Sequence, residues 1–328
     1  MRLRFVLMLS LLCIFCAQGV IAADFFVVIG GKKEQAQDVA SPLPDTGIYF
    51  CDDGEDDIIC PGYGDEAYAQ DGHYNAPERQ LEYKDNYDGT VTDKVTGLMW
   101  AQGDLGGENT PSEAIAACAA SELAGHTDWR LAEINEYVSL YDLGQTPSPL
   151  ISRVFTFTAD ASHYWSNTSV SGSYWNAAFE NGAVIVAGTS DNNGRCVRGN
   201  VLPAPSFTDN GDGTVSDSTT GLEWLQVDDS DYYTWLGALA CCRDLDYAGH
   251  DDWRLPDYKE LHTLLDYDRT TRPSIDEGVF DSNSDLFWSA SPFKGGMGYA
   301  YSIDFYFRSA ALKNMTNLLS VRCVRGGP

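Results

Sequence analysis

Residues 207–226 read FTDNGDGTVSDSTTGLEWLQ and repeat, 124 residues later and without a gap, the stretch YKDNYDGTVTDKVTGLMWAQ at residues 83–102. Twelve of the twenty positions are identical. A second pair, AGHTDWRLAEINEYVSLYD at 124–142 and AGHDDWRLPDYKELHTLLD at 248–266, shares ten of nineteen positions at the same offset. Two matches at one fixed offset indicate that a single structural unit has been duplicated.

The duplication sets the expected domain organisation. We expect domain 1 at residues 83–199 and domain 2 at residues 207–328, joined by a linker at 200–206 whose prolines favour an extended conformation. Residues 24–82 lie outside the repeat, are rich in Gly and Asp, and lack helical periodicity. We therefore expect them to form a leader rather than a third core.

Each copy carries the same order of local patterns. The Asp-Gly turn in DNYDGTVTD and DNGDGTVSD predicts a β-hairpin, and Thr-Gly-Leu-x-Trp predicts a further strand. Helices are expected at about 112–123 and 132–142 in the first copy, and at about 234–245 and 256–266 in the second. The rest of each copy is strand-like and ends in RCVRG. This order predicts an α+β fold.

The cysteines take equivalent places in the two copies. One lies in the first predicted helix, eight residues before the His of AGH, and the other lies in RCVRG. The expected disulfides are Cys118–Cys196, Cys242–Cys323 and, locally in the leader, Cys51–Cys60. This pairing leaves Cys241 as the odd thiol. An exchange of Cys241 for Cys242 in the bond, or a vicinal bond between the two, is the alternative.

The first 23 residues are typical of a signal peptide. Arginines stand at the start, an apolar run follows at 5–15, and small residues precede position 24. We expect export to the periplasm, the cell surface or the medium, where disulfides persist. No later segment is apolar enough to predict a membrane span.

The charge of the chain excludes one class of partner. Asp and Glu number 48 against 21 Lys and Arg, which gives a formal net charge of −27. A field of that sign repels phosphates, so we expect no nucleic acid partner.

The combination of DNGDGTVxDxxTGLxW, AGHxDWRLP and a closing RCVR resembles the DUF1566 domain family, also called the Lcl C-terminal domain. The resemblance covers both repeats. It implies two tandem, disulfide-closed domains similar to C-type lectins and formylglycine-generating enzymes, and a family member associated with binding sulfated glycosaminoglycans. Sulfated ligands need clustered Lys and Arg, which the overall charge does not supply. We therefore carry over a surface binding module without assigning it sulfated ligands.

The Asp-rich hairpins are the candidate metal sites, with Ca²⁺ as the candidate ion. Ca²⁺ takes six to eight oxygen ligands, often from Asp and Asn in a loop turned by Gly. The candidate ligands are Asp85, Asp88 and Asp93 in domain 1, and Asp209, Asp212 and Asp217 in domain 2. The EF-hand spacing is not met. The favoured alternative is that these side chains cap turn amides.

The aromatic late segments are the candidate binding face. They read HYWSNTSVSGSYWNAAF at 163–179 and FWSASPFKGGMGYAYSIDFYF at 287–307. Tyr, Trp, Ser, Gly and Asn make adaptable contact surfaces. The candidate ligand contacts are Tyr174, Trp175, Tyr299 and Tyr301. Packing of these rings in the core is the alternative.

The sequence contains no GxSxG, HExxH, P-loop or dinucleotide motif. We therefore expect a non-catalytic exported binding or adhesion module that recognises a glycan or a surface protein, with no cofactor other than Ca²⁺ if the hairpins hold it. One alternative is a structural, Ca²⁺-stabilised envelope module. Another is a degenerate enzyme of the formylglycine-generating type, for which Cys241 would be the reactive residue.

Overall fold

The structure of the protein is a computed structural model that describes residues 43–74, 80–107, 109–146, 148–158, 163–187, 192–229, 231–282, 286–294 and 298–326. The expected signal peptide at 1–23 and the first part of the leader, residues 24–42, lie outside the described residues. Across the part of the chain that is described, no helix has the length and apolar content to cross a bilayer.

The leader and domain 1 contain ten strands and two α-helices within the described ranges. The leader forms the two-stranded hairpin β1 (Cys51–Asp52) and β2 (Asp57–Ile58). The elements of domain 1 are β3 (Tyr83–Asp85), β4 (Thr90–Asp93), β5 (Met99–Ala101), α1 (Pro111–Ala119), β6 (Arg130–Leu131), α2 (Ile134–Leu140), β7 (His163–Val170), β8 (Ser173–Ala178), β9 (Ala183–Ala187) and β10 (Cys196–Arg198). They build one sheet in the order β3-β4-β5-β10-β6 and a second in the order β7-β8-β9.

Domain 2 repeats this plan. Its elements are β11 (Phe207–Asp209), β12 (Thr214–Asp217), β13 (Leu222–Leu225), α3 (Trp235–Arg243), α4 (Tyr258–His262), β14 (Leu286–Pro292), β15 (Tyr299–Asp304), β16 (Ser309–Asn314) and β17 (Val324–Gly326). The sheets run β11-β12-β13-β17 and β14-β15-β16. In both domains the last strand returns to pair with the third strand of the first sheet, so the chain ends of each copy lie together.

The fold is mostly β, with 14% of the residues helical and 31% in strands. The sequence-based prediction of an α+β fold therefore overestimated the helical content. All four predicted helices exist but are shorter than expected. Their starts are set by capping: the Thr110 hydroxyl accepts from the Glu113 amide, and the Asp257 carboxylate accepts from the Glu260 amide. In the last helix, Pro256 precedes the N-cap Asp257.

The three expected disulfides are confirmed. Their Cα–Cα distances are 4.8, 5.3 and 5.4 Å for Cys51–Cys60, Cys118–Cys196 and Cys242–Cys323. The second ties α1 to β10, and the third ties α3 to the residue directly before β17. Cys241 is buried, and its Sγ lies 3.8 Å from Oδ2 of Asp229.

The two domains are packed against each other, and the largest hydrophobic cluster contains buried residues of both. Trp175 of domain 1 packs edge to face on Tyr267 of domain 2, with ring centroids 4.9 Å apart, and its Nε1–H donates to the Tyr267 carbonyl at 3.2 Å. Tyr258 of domain 2 donates to the carbonyl of Gly182 in domain 1. Because the polar groups of Trp175 and Tyr258 are both hydrogen-bonded across the domain boundary, these rings fix the relative placement of the domains.

The leader is fastened to both domains by buried polar groups. The Lys259 ammonium is fully buried and donates to the carbonyls of Asp45 in the leader and Ser139 in domain 1, at 2.8 and 2.9 Å. Burial lowers the pKa of Lys259 to about 8. The leader residue Asp71 accepts hydrogen bonds from Thr46 and from Ser291 of domain 2. The leader is thus an integral part of the fold.

Candidate functional site

The six hairpin aspartates act as turn caps. Asp85, Asp88 and Asp93 each accept the amide N–H two residues further along the chain, at 2.7, 3.0 and 2.9 Å. The same three bonds recur in domain 2, at 2.8, 3.0 and 2.9 Å, and their acceptors are Asp209, Asp212 and Asp217. These are Asx turns, which the sequence analysis favoured over Ca²⁺ ligation.

Neither hairpin brings its carboxylates together as a metal site would. Within the described ranges, the only three His, Cys, Asp or Glu side chains with ligand atoms inside 4.8 Å of one another are Cys51, Cys60 and His73. Two of those atoms are the sulfurs of a disulfide, and the His73 Nε2 lies 2.6 Å from the Pro61 carbonyl. The candidate Ca²⁺ ligands therefore act as turn caps, and the only His, Cys, Asp or Glu cluster found among the described residues does not include them.

The four candidate ligand contacts divide into two buried and two accessible residues. Trp175 and Tyr301 are fully buried, so their assignment as ligand contacts is wrong. Trp175 fills the space between the domains, and Tyr301 packs on Tyr258 with ring centroids 5.0 Å apart. Tyr174 is half-buried against Trp165, whereas Tyr299 is 41% exposed. Trp175 and Tyr301 are buried by residues that lie far away in the sequence, and the alternation of side chains along a strand does not reveal such packing.

The arginines of the two RCVR segments are structural. The buried Arg195 guanidinium donates to three carbonyls of its own domain, and Arg322 repeats this arrangement in domain 2. Burial lowers the pKa of Arg322 to about 10. Arg198 and Arg325 pair with Asp128 and Asp252. These four residues therefore provide no accessible basic surface.

An accessible basic surface exists elsewhere, at the tip of the β15–β16 hairpin. We name it the arginine–aromatic patch and define it by Arg269, Arg272, Tyr306, Phe307 and Arg308. Tyr306 is 40% and Phe307 65% exposed, and the Arg272 guanidinium carbon lies 4.2 Å from the centroid of the Tyr306 ring. It also lies 5.7 Å from the centroid of the Phe307 ring. Arginine stacked on aromatic rings in this way leaves its N–H edges directed outward for recognition.

The charge of the patch is only partly compensated. Arg269 pairs with Glu277, whereas Arg272 and Arg308 form no ion pair with a carboxylate of the described residues. Burial, together with the neighbouring charge of Arg272, lowers the pKa of Arg308 below its ordinary value. Two unpaired guanidinium groups and two exposed rings thus share one surface on a strongly acidic protein.

The backbone at the tip is unusual in domain 2. Arg308 has a φ of +58°, a left-handed conformation that costs a non-glycine residue roughly 1–2 kcal/mol. The equivalent position in domain 1, directly before β9, is Gly182 with a φ of +75°. Arg308 is held there by hydrogen bonds to the Ser274 hydroxyl and the Thr271 carbonyl. Backbone strain of this kind clusters at functional sites, and here it falls on a partly buried arginine of the patch.

Sequence reasoning missed this patch, although a signal was present. When the hairpins are aligned, the buried Phe179 matches the buried Phe305, and the tip that follows reads ENG in domain 1 and YFR in domain 2. The aromatic segment that the sequence analysis quoted ends at residue 307, so the arginines were not included. Arg272 lies 34 residues before Tyr306, and only the fold brings them together.

The comparison with known families agrees with the duplication. A model described as the Lcl C-terminal domain matches residues 89–198 and again residues 213–325, which together are more than half of the chain. The chain belongs to the Lcl C-terminal domain family. Each match begins at the glycine of the Asp-Gly turn and ends at the second arginine of RCVR. No curated protein matches the chain.

Membership in the Lcl C-terminal domain family places the arginine–aromatic patch within a repeat unit. All five residues of the patch fall inside the second match, and the ENG tip falls inside the first. The patch is therefore a difference between two copies of one Lcl C-terminal domain, built on a hairpin that both copies share.

Proposed function

We propose that this protein is an exported, non-catalytic binding module that contacts a glycan or a surface protein through the arginine–aromatic patch of domain 2. We also propose that each repeat is a variant of the C-type-lectin-like fold. Disulfide closure, small sheets and a returning last strand support that second proposal.

The single observation that carries the proposal is the exposure of Tyr306 and Phe307 beside the unpaired Arg272 and Arg308. Aromatic residues and Arg are enriched where proteins bind partners and dominate the energy of those contacts. An exposed ring covers the apolar face of a sugar or an apolar side chain. The guanidinium edges next to it donate to hydroxyls, carboxylates or backbone carbonyls.

The net charge of −27 determines how such a surface operates. The molecule as a whole repels anionic partners at long range, so the patch acts only at contact, within about a Debye length. The long-range field does not draw in an anionic ligand, and specificity depends on the geometry of the patch. We therefore expect moderate affinity, slow association with anionic partners, and an association rate that increases with salt.

The proposal is tested on arrays of immobilised glycans and extracellular proteins with labelled protein. Arg272→Ser and Phe307→Ser are the test variants. Glu180→Ser, at the tip of the equivalent hairpin in domain 1, is the matched control. We expect the wild type and the control to bind the same array members. We expect each test variant to lose about tenfold in affinity, since a central aromatic or Arg contact is typically worth more than 1 kcal/mol. Equal binding by all four proteins would contradict the proposal.

The degenerate-enzyme alternative receives no support from Cys241. That residue is buried, whereas a reactive cysteine needs an accessible thiolate. The Ca²⁺-stabilised alternative depends on hairpin carboxylates that are already used by turn amides.

A further inference from the structure

A second surface feature lies far from the patch in the sequence, where the leader meets both domains. A cavity of about 320 Å³ opens there, and we name it the junction cavity. Its polar and aromatic lining consists of Asp45, Tyr49, Gln80, Asp142, Gln145 and Lys294. Its volume falls at the lower end of the range for small-molecule sites, which is roughly 300–1,000 Å³.

The floor of the junction cavity is built by a close approach of two loops. The Leu143 amide of domain 1 donates to the Thr46 carbonyl of the leader at 2.8 Å. A Cβ at Gly144 would collide with the carbonyl oxygen of Gly47, and a Cβ at Gly47 would collide with the Asp142 carboxylate. Gly47 also has a φ of +79°. Glycine at both positions therefore allows the leader to lie directly on domain 1.

One wall is fixed by a side chain from domain 2. The Lys294 ammonium donates to the Tyr49 hydroxyl at 2.6 Å and to the Gly144 carbonyl at 2.9 Å, and it lies 4.4 Å from the centroid of the Tyr49 ring. The lysine thus joins the leader, domain 1 and domain 2 at the cavity edge. It has three N–H donors, and these two bonds leave the third for a ligand.

The polar side chains around the opening are preorganised. The Gln145 side-chain amide donates to Oδ2 of Asp142 at 2.8 Å, which holds both groups in place. No described residue donates to the Gln145 amide oxygen, so it remains an acceptor at the cavity. The side chain of Gln80 is exposed at the rim, and its amide can both donate and accept hydrogen bonds there. Tyr49 is 67% exposed next to these groups.

We propose that the junction cavity binds a single neutral sugar ring of pyranose size. A pyranose presents hydroxyls around its edge and C–H groups on its faces. Planar amide and carboxylate groups suit the hydroxyls, and the exposed Tyr49 ring suits a C–H face. The cavity is lined by the carboxylates of Asp45 and Asp142 and by one ammonium group, that of Lys294, so an anionic sugar is disfavoured. The proposal does not depend on the arginine–aromatic patch.

Ligand-observed NMR on the full chain tests this proposal, with glucose, galactose, mannose and N-acetylglucosamine as probes at millimolar concentration. The test variants are Tyr49→Ala and Gln145→Leu. The matched control is Tyr232→Ala, which removes an equally accessible tyrosine of domain 2 that does not line the cavity. Thermal melts confirm that each variant is folded. We expect at least one probe to bind, and either test variant to weaken it by about tenfold, equivalent to about 1.4 kcal/mol.

Three results would overturn the assignment. One is that none of the four sugars binds the wild type. Another is that both folded test variants bind as the wild type does. The third is that the sugar is lost in Phe307→Ser but kept in Tyr49→Ala, which would place it at the patch. That last result contradicts the junction cavity while supporting the proposed function, so the two proposals fail separately.

Discussion

Replacing Trp175 by Ala tests whether the two domains form one cooperative unit. The Trp175 ring belongs to domain 1 but is buried against Tyr267 of domain 2, and its Nε1–H satisfies the Tyr267 carbonyl. Trp→Ala in a core costs about 3–5 kcal/mol. The unpaired carbonyl adds to that cost. Because the ring contacts both domains, we expect both to lose stability together.

Differential scanning calorimetry measures this effect. With an unfolding entropy of roughly 2.1 cal/mol/K per residue, a chain of 328 residues loses about 1.5 °C per kcal/mol, so we expect Tm to decrease by about 4–7 °C. The transition should remain single, because the hydrophobic cluster that contains Trp175 is formed by residues of both domains. Tyr299→Ala, which changes an exposed ring of the same candidate set, is the control and should shift Tm by less than about 1 °C.

Two outcomes would refute the reasoning about Trp175. A resolved second transition in Trp175→Ala would show that domain 2 does not rely on domain 1 for its core. A Tm equal to that of the wild type would show that the ring is not buried, and would restore the interpretation of Trp175 as a ligand contact.

Four further predictions concern single features of the fold and the patch. Arg308→Gly should leave Tm within a few degrees of the wild type, because relief of the left-handed strain offsets the extra freedom of glycine in the unfolded chain. The same variant should weaken array binding. A large loss of Tm would contradict the expected balance between strain and chain freedom. Replacing the Cys118–Cys196 disulfide by two alanines should lower the free energy of unfolding by about 4 kcal/mol, measured by urea titration, because the bond spans 78 residues; a loss under about 1 kcal/mol would argue against the entropic account. The free energy of unfolding should rise between pH 8 and about pH 10, where tyrosines begin to titrate. In that range the unfolded chain keeps the proton of Lys259, whereas the folded chain, in which the pKa of Lys259 is lowered to about 8, releases it. Lys259→Met should remove the rise seen in urea titrations, and a rise that persists would exclude Lys259 as the cause. Thermal melts with Ca²⁺ and with EDTA should coincide, because turn amides already occupy the hairpin carboxylates, and a Tm raised by Ca²⁺ would revive the metal site.

The repeat made some features predictable from sequence alone. Cys118 and Cys242 are equivalent, as are Cys196 and Cys323, and only one pairing closes each copy on itself. The Asp-Gly hairpins followed from local turn chemistry, which depends on neighbouring residues and not on the rest of the fold. Equivalence between copies and short-range chemistry are both visible in a single sequence.

Features that depend on long-range packing could not be predicted. Trp175 and Tyr301 stand in aromatic strands that resemble a binding face, yet the neighbouring domain and helix bury them. Residues 43–74 belong to the segment whose composition predicts a leader outside the domain cores, but buried polar contacts such as the one at Lys259 make them part of the core region. The stacking of Arg272 on Tyr306 joins two loops whose proximity no local pattern encodes.

Exchange of the hairpin tip tests the central claim most directly. In the triple variant Y306E/F307N/R308G, domain 2 carries the tip of domain 1 on the same hairpin. The measurement is the affinity of this variant, against the wild type, for the array member that the wild type binds best. Binding through the arginine–aromatic patch predicts an unchanged fold, a Tm close to the wild type and a loss of affinity of at least about tenfold. Retention of wild-type affinity by the folded variant would contradict it.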